Sequence, residues 1–426
     1  MKILILVGAL VAGLLTACSA GSSAGSVSIV ASWTGAEGDA FKRVLAEFTD
    51  ETGISVDYQG TRAVGPVLDS ELQQGNPPDV AVLPNPGALA TYMHSGDLRP
   101  LDSVIKDPQQ SFSPQWLRLQ RLGTSDHLYA IAVKADLKSL IWYDPKRFTG
   151  PAPKTWADLT ALDARIAAGG GTPWCMGLEA PPTSGWPGTD WIEDILLHQS
   201  GTSAYEKWAS GRLPWNSPAV HQAWTTWGTV LKTLGTGRKA TVLTNFGDAG
   251  RGMFTSPQSC TMEHEGSFIM ANYQGYPQKP KPGQDFDFFP TPGIDGAAEV
   301  SADLAGMFTG TSQAKQLMQF LASTRAQRIW PAIPGYGAFS PNKNVRGEKV
   351  YSDPVSRRVS QLLTTTAPLC FDAADMMPAA MSAAFSRAVI EYVDDPDPAR
   401  LHDLLENLDA VRRSLAPSAW LGRACG

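Results

Sequence analysis

Residues 27–58, VSIVASWTGAEGDAFKRVLAEFTDETGISVDY, decide the fold because they hold a complete β-α-β unit. The apolar run 27–32 predicts a buried strand. The residues after it recur at the i, i+3, i+4, i+7 spacing of one helical face: Phe41, Val44, Leu45 and Phe48. The helix is expected to end at Gly53, and 54–58 predict a second strand. A strand, a helix and a strand in succession predict a parallel sheet with a right-handed crossover.

Alternating strands and helices continue along the chain. Further strands are predicted by short apolar runs at 79–83, 128–133, 139–143 and 286–290. Thr155-x-x-Asp158 is typical of a helix start. Ligands of open α/β sheets bind beyond the carboxyl ends of strands, near helix N-termini. The loops after Ser32, after Leu83 and around Lys134 are therefore the places to look for a binding site.

Composition and charge exclude some classes of function. The chain has 426 residues, of which 43% are hydrophobic and 18% charged, so it can bury a sizeable core in two or three domains or two large lobes. The formal net charge is −6, and no basic stripe stands out. Nucleic acid is therefore not an expected partner.

The first residues predict export and a lipid anchor. Lys2 is the only charge before Cys18, and the apolar run 3–15 is too short to span a bilayer. Leu15-Thr16-Ala17-Cys18 resembles the end of a bacterial lipoprotein signal. We expect 1–17 to be a signal peptide, Cys18 to be lipidated and 18–26 to be a flexible tether, with the protein anchored in the cell membrane on its extracytoplasmic face. The alternative is an ordinary secretory signal with a chance cysteine.

The remaining cysteines predict disulfides. An even number is left once Cys18 is set aside, which favours pairing in an exported protein: Cys175, Cys260, Cys370 and Cys425. Three pairings are possible. A zinc site is the rival interpretation, but the chain has no C-x-x-C spacing to support it.

Three local motifs carry a family resemblance: PWC at 173–175, SGWPGTDWIED at 184–194 and FDAADMMP at 371–378. With the first β-α-β unit and PDV at 78–80, they make the chain similar to family 1 of the extracellular solute-binding proteins. These are carbohydrate receptors of ATP-binding-cassette (ABC) importers, and the chain is most similar to the α-glucoside-binding subset. The resemblance covers nearly the whole mature chain.

The resemblance implies a two-lobed α/β fold of the type II periplasmic-binding-protein kind. Each lobe would be a mostly parallel sheet flanked by helices, with the ligand in the cleft between lobes that close by hinge motion. Lobe one would be 27–133 plus 267–323, and lobe two 134–266 plus 324–426. The resemblance also implies the disulfide Cys175–Cys260, which leaves Cys370–Cys425 as the second pair.

The implied function is carbohydrate capture and delivery to a membrane permease whose ATPase is a separate chain. The protein would be a monomer and not an enzyme, with no cofactor, no metal and no catalytic residue. The alternatives are a secreted glycoside hydrolase, which also uses aromatics and two carboxylates, and a receptor for a non-sugar ligand. The segment 262–267, MEHEGS, has more acids than the family leads us to expect, so the sugar itself stays open.

A sugar site needs flat aromatic faces for C–H groups and polar side chains for hydroxyls. The expected ligand-binding residues lie near predicted strand ends, helix starts and crossovers: Trp33, Glu37, Asn85, Lys138, Trp186, Asp190, Trp191, His264, Glu265, Asp303, Tyr336 and Asp375. The competing interpretation is structural. Trp191 would then be a core residue, Asp190 would neutralise a helix N-terminus, and Glu37, Lys138 and Asp303 would form salt bridges.

Overall fold

The computed structural model describes residues 25–148, 150–294, 296–366 and 368–426. The predicted signal peptide, Cys18 and most of the predicted tether lie outside these ranges. The larger of two sheets has six strands: β1 (Ser26–Ala31), β2 (Ser55–Gly60), β3 (Val80–Leu83), β4 (Ala130–Leu137), β9 (Ala298–Met307) and β10 (Leu369–Phe371). The smaller sheet has four: β5 (Leu140–Tyr143), β6 (Trp174–Cys175), β7 (Met262–His264) and β8 (Asp287–Pro290).

Helices cover both sheets. In chain order they are α1 (Gly35–Thr52), α2 (Val64–Gln73), α3 (Pro86–Ser95), α4 (Pro114–Leu119), α5 (Trp156–Ala168), α6 (Trp186–Ala209), α7 (Pro218–Thr233), α8 (Phe246–Ala249), α9 (Ile269–Gly275), α10 (Ser312–Ala322), α11 (Thr324–Ile329), α12 (Pro354–Thr365), α13 (Ala373–Met376), α14 (Ala379–Asp394) and α15 (Pro398–Ser414). Short 3-10 helices span Pro108–Gln110, Gly235–Leu243, Gly250–Phe254 and Pro417–Ala419. Among the described residues, no helix combines the length and apolarity needed to cross a membrane.

The first β-α-β unit forms as the sequence predicts. β1 pairs with β2 in parallel, and the predicted apolar face of α1 is buried. α1 ends at Gly53, whose φ of 72° is a left-handed conformation that glycine adopts without strain. Thr155 caps α5 through the predicted capping box with Asp158. Local sequence signals therefore determine these boundaries.

The two-sheet α/β architecture is confirmed, but the pairing within the sheets is more mixed than expected. β1 lies parallel to β2 and β3, and β10 lies parallel to β9, whereas β3 and β4 run antiparallel to β9. In the smaller sheet only β6 and β7 are parallel. β5 enters directly from β4 and runs opposite to both of its neighbours, β7 and β8. The expectation of a mostly parallel smaller sheet was therefore wrong.

Strand pairing and helix packing also differ from the predicted division into lobes. β8 lies within 267–323, yet it pairs with β5 in the smaller sheet. The segment 324–371 lies against the larger sheet, because α11 packs on α1, α12 packs on β4, and β10 pairs with β9. We propose instead that lobe one comprises 25–137 plus 298–371 and lobe two comprises 140–290 plus 379–414. Three connections then join them, β4 to β5, β8 to β9 and β10 to α14, and the chain returns to lobe one once more after α15.

Two disulfides are present in the structure. Cys175 of β6 is bonded to Cys260, two residues before β7. Cys370 of β10 is bonded to Cys425. The backbone around the second bond pairs like a short strand, since Phe371 N donates to Ala424 O at 2.8 Å and Gly426 N donates to Leu369 O at 2.8 Å. The C-terminal residues are thereby held against lobe one.

Lobe two has a tryptophan-rich core between α6, α7 and α14. The indole rings of Trp208, Trp215, Trp224 and Trp227 are fully buried. Phe385 of α14 packs against Trp208, Trp215 and Trp224, with ring centroids 4.8–5.9 Å apart. Core packing therefore accounts for the helical spacing of Trp224 and Trp227.

Asp163 on α5 is a buried acid that bears on stability. One of its oxygens accepts a hydrogen bond from Trp174 Nε1 at 3.0 Å, and the other has no hydrogen-bond partner. Burial raises the pKa of Asp163 to about 7, against the smaller opposing effect of the Trp174 hydrogen bond. Because the folded-state pKa lies above the unfolded value, the stability from this group is complete below about pH 4 and is lost as the pH rises through 7.

We expect Asp163→Asn to gain unfolding free energy over the unsubstituted protein between pH 4 and pH 8, by at most about 4 kcal/mol. The reason is that the aspartate loses stability as it becomes ionisable in the unfolded state, whereas the amide does not ionise at any of these pH values. Urea unfolding of both proteins at pH 4, 5.5 and 8 measures the difference. A difference between the two proteins that does not change with pH would show that Asp163 does not titrate in this range.

Candidate functional site

The candidate site lies where elements of both lobes meet. β4 runs through lobe one and carries Lys134, and Lys138 follows at its end. Lys134 pairs with Asp303 of β9 after an irregularity in the register between Ala132 and Lys134. Asn85 follows β3 and precedes α3. Backbone pairing thus gathers the polar ends of β3, β4 and β9 at one place.

Lys134 is the centre of a first polar cluster. Its ammonium lies 3.2 Å from Asp136, 3.7 Å from Glu37 and 3.9 Å from Asp303. Although burial opposes its charge, these carboxylates raise the pKa of Lys134 above its usual value. Burial raises the pKa of Asp303 to about 6, and Lys134 only partly offsets this. Burial also opposes the charge of Glu37, but Lys134 and Arg62 outweigh it and lower the pKa of Glu37.

Lys138 is the centre of a second cluster. Its Nζ lies 2.6 Å from Asp190 and 3.0 Å from Asp372. Burial raises the pKa of Asp190 to about 7 despite the ion pair. Burial, reinforced by Asp372, raises the pKa of Asp375 well above its usual range, and the Asp375 carboxyl is hydrogen-bonded to the Asn85 amide. Asn85 and Asp375 thus connect the loop after β3 with α13.

Aromatic rings lie beside the second cluster. The Trp186 centroid is 4.9 Å from Phe246 and 5.7 Å from Phe268, and all three rings are half-buried. Lys138 Nζ lies 5.0 Å from the Trp186 centroid and 5.7 Å from the Phe268 centroid, close enough for cation–π attraction. Tyr336 is also half-buried, in the loop that approaches α9 at Gly337. Half-buried aromatics beside charged and amide groups can both stack on a ligand and bond to it.

Asp190, Glu193 and Asp372 have carboxylate oxygens within 4.8 Å of one another. A cation is already supplied to this group, because Lys138 makes ion pairs with both Asp190 and Asp372. Burial, together with the charge of Asp372, raises the pKa of Glu193 well above its usual range, so its charge is also suppressed. The group is therefore neutralised by the protein's own side chains.

Some predicted site residues are in the core instead of on the cleft surface. Trp33 is 1% exposed and packs against Phe41 and Trp330, with centroids at 4.6 and 4.7 Å. Trp191 is 2% exposed and packs between Trp174 and His264. Their burial among other rings is the arrangement that the structural interpretation predicts.

His264 and Glu265 are buried beside the hinge region. His264 Nε2 lies 2.8 Å from Asp194. Glu265 has one oxygen without a hydrogen-bond partner, and burial raises the pKa of Glu265 well above its usual range. The structure therefore places these two side chains in the interior, with a pairing role for His264.

Several residues at this place were missed by sequence reasoning. They are the side chains that complete the two clusters and the aromatic group: Lys134, Asp136, Phe246, Phe268 and Asp372. Asp372 lies inside the FDAADMMP motif, and Lys134 lies in a region where the sequence predicts a binding site, so both carried a signal. Phe246 and Phe268 carried none, because only folding brings them next to Trp186.

Comparison with known proteins defines the class. The bacterial solute receptor AcbH superimposes with a TM-score of 0.77 at 16% identity, over 92% of this chain and 99% of that one. A chitin oligosaccharide binding protein gives a TM-score of 0.74 at 17% identity, over 91% and 98%. These similarities show the fold of a two-lobed solute-binding protein.

The family follows from sequence. The model of the bacterial extracellular solute-binding protein family matches residues 32–328. The osmoprotective compounds-binding protein GgtB of Synechocystis is 31% identical over 89% of this chain and 91% of that protein. The alpha-glucosides-binding periplasmic protein AglE of Rhizobium meliloti is 31% identical over 86% and 83%. The chain belongs to the bacterial extracellular solute-binding protein family, and it is an extracytoplasmic binding protein and not an enzyme.

The burial of Trp33 and the partial exposure of Trp186 lead to different expectations for stability. Trp33→Ala should cost about 3–5 kcal/mol of unfolding free energy, because it leaves a cavity among Phe41 and Trp330. Trp186→Ala should cost clearly less, because its ring is already partly in water. Chemical denaturation of the ligand-free proteins measures both. Equal losses would mean that the two rings are packed alike.

Proposed function

We propose that the chain is the lipid-anchored carbohydrate-binding protein of an ABC importer. It captures an α-glucoside or small oligosaccharide by lobe closure and delivers it to the membrane permease. The observation that carries the proposal is the half-buried aromatic group of Trp186 and Phe268 beside Lys138 and Asp375. It combines the stacking faces and polar groups that a sugar needs.

The chemistry of this place suits an uncharged polyol. The face of a sugar ring is apolar and packs on an indole, while its hydroxyls both donate and accept hydrogen bonds. Asp375 with a raised pKa can donate as well as accept, and the Asn85 amide offers both kinds of group. We propose ligand contacts for Glu37, Asn85, Trp186, Tyr336 and Asp375, and for Lys138 and Asp303 at the edge of the site.

The relatives support a sugar or a related compatible solute. The names of GgtB and AglE describe proteins for osmoprotective compounds and for alpha-glucosides. The chain also superimposes, with a TM-score of 0.65, on the crystal structure of a cyclo/maltodextrin-binding protein in complex with maltotetraose. An α-glucoside is therefore the first ligand class to test, and a non-sugar solute is the alternative outcome.

Anchoring and partners complete the proposal. The sequence Leu15-Thr16-Ala17-Cys18 supports attachment of the mature chain through a lipidated Cys18, with 18–26 as the tether. The protein would act as a monomer. Two uncharacterized relatives from Pyrococcus horikoshii are named as ABC transporter extracellular-binding proteins, which supports a permease as the membrane partner.

The purified protein should bind one of maltose, sucrose or trehalose without converting it. We expect a Kd in the micromolar range, about −8 kcal/mol. Trp186→Ala should weaken binding by about 5- to 150-fold, the equivalent of a lost stacking contact of about 1–3 kcal/mol. Titration calorimetry gives the affinities, and chromatography of the recovered sugar gives the turnover.

Trp215→Phe is the control, because Trp215 is a fully buried ring that packs against Trp208 and Phe385 in the core of lobe two. It should keep the affinity even if it lowers the melting temperature. Normal affinity of Trp186→Ala would place the sugar elsewhere. Binding of a non-sugar solute in place of all three sugars would replace the proposed ligand class.

The anchor is tested separately. Cys18→Ala should prevent lipidation, so the protein should either keep its signal peptide or be released from the membrane. Detergent-phase partitioning and intact mass measure the outcome. A Cys18→Ala protein that still partitions as a mature lipoprotein would rule out this anchor.

A further inference from the structure

Three acids on one face of α6 lie next to three connections between the lobes, β4 to β5, β8 to β9 and β10 to α14. Asp190, Glu193 and Asp194 stand at i, i+3 and i+4, so their side chains share one side of the helix. His198 follows one turn after Asp194 on the same side. Asp190, Glu193 and Asp194 are each no more than 2% exposed. α6 packs on α7 and α14, so the helix that carries these acids belongs to lobe two.

The connection from β4 to β5 is held by two of these acids. Lys138 Nζ donates to Asp190 Oδ2 at 2.6 Å. Ser139 Oγ donates to Asp194 Oδ1 at 2.5 Å. Lys138 and Ser139 are the whole connection, because β4 ends at 137 and β5 begins at 140. Both of its side chains are therefore bound to α6.

The connection from β8 to β9 is bound to the first connection and to α6. Thr291 N donates to Ser139 O at 3.1 Å, and Glu299 N donates to Ser139 Oγ at 2.9 Å. Ile294 N donates to His198 O at 3.2 Å. His198 Nε2 lies 3.1 Å from Asp194 Oδ1 but is not hydrogen-bonded to it. Asp194 thus reaches the second connection through Ser139, and α6 holds that connection directly through the His198 carbonyl.

The connection from β10 to α14 is held by the remaining acid. Ala373 N donates to Glu193 Oε2 at 2.5 Å, and Ala374 N donates to Glu193 Oε1 at 3.3 Å. Asp372 joins this connection to the first, because its Oδ2 lies 3.0 Å from Lys138 Nζ. Each of the three connections is therefore bonded to the same face of α6.

We propose that Asp190, Glu193 and Asp194 form a hinge clamp, which holds the three interlobe connections at one point and so sets the resting separation of the lobes. The acids are positioning residues, because they act through the connections and not on the ligand. The proposal rests on the lobe closure of the proposed function. It assigns a role in lobe motion to DWIED, residues 190–194 of the motif, whereas Trp186 is proposed to contact the ligand.

The test measures the distance between the lobes in the ligand-free protein. Fluorophores are attached through unnatural amino acids at Lys106 of lobe one and Thr236 of lobe two, which are both exposed, so the disulfides stay intact. Single-molecule energy transfer is recorded for the unsubstituted protein, Glu193→Ala, Ser139→Ala and the control Asp163→Asn. Asp163 is a buried acid of lobe two whose hydrogen-bond partner is Trp174 of β6, outside the three connections.

Glu193→Ala removes both oxygens that accept from the backbone N–H groups of Ala373 and Ala374, and Ser139→Ala removes the hydroxyl that joins Asp194 to Glu299 N. We expect a broader ligand-free distance distribution in both, and a sugar Kd raised about threefold or more because the closed form is less populated. Asp163→Asn should match the unsubstituted protein in both measurements. If Glu193→Ala does not fold, Ser139→Ala decides alone.

A folded Glu193→Ala or Ser139→Ala protein with an unchanged ligand-free distribution overturns the clamp, and so does equal broadening in Asp163→Asn. These outcomes do not depend on a ligand. Failure of the unsubstituted protein to shorten its interlobe distance with maltose, sucrose or trehalose counts against the proposed function alone. The two proposals can therefore fail independently.

Discussion

The ammonium of Lys138 is buried between the carboxylates of Asp190 and Asp372, an arrangement that has a large desolvation cost. Removing an ammonium from water costs several kcal/mol, which only close and well-oriented carboxylates can offset. Both distances, 2.6 and 3.0 Å, meet this requirement. The cation therefore fixes the relative positions of β4, α6 and α13, which are far apart in sequence. Loss of either acid would leave the buried ammonium with one carboxylate in place of two.

The acids around this ion pair outnumber the cations, and burial keeps many of them protonated. Burial, reinforced by neighbouring acids, raises the pKa of Glu193, Glu299 and Asp375 well above the usual range. Asp194 and Asp372 differ from these acids. Burial opposes the charge of both, but His198 and His264 lower the pKa of Asp194 to about 2, and Lys138 lowers the pKa of Asp372. The hinge region thus combines acids whose charge is disfavoured by burial with acids whose charge is stabilised by a cationic or hydrogen-bonding neighbour.

Local features of the fold could be predicted from sequence because they rest on nearby residues. The spacing of Phe41 to Phe48, the stop at Gly53 and the capping box at Thr155 all act within a turn or two. Sheet membership could not, because β8 joins β5 through pairings that no local pattern encodes. For Trp33 and Trp186, too, local sequence could not predict burial by residues that are distant along the chain. Both follow strand or motif signals, but Trp330 buries Trp33 while Trp186 stays half-exposed.

Lys138 links the hinge region to the cleft. The same ammonium that bonds to Asp190 and Asp372 lies against the rings of Trp186 and Phe268. A ligand that stacks on these rings meets the cation that ties the first connection to the third. Lys138 would then both contact the ligand and hold the connections between the lobes. A ligand drives closure only if it binds the closed form more tightly than the open form. The short distance between the proposed site and the hinge thus gives that coupling a direct physical route.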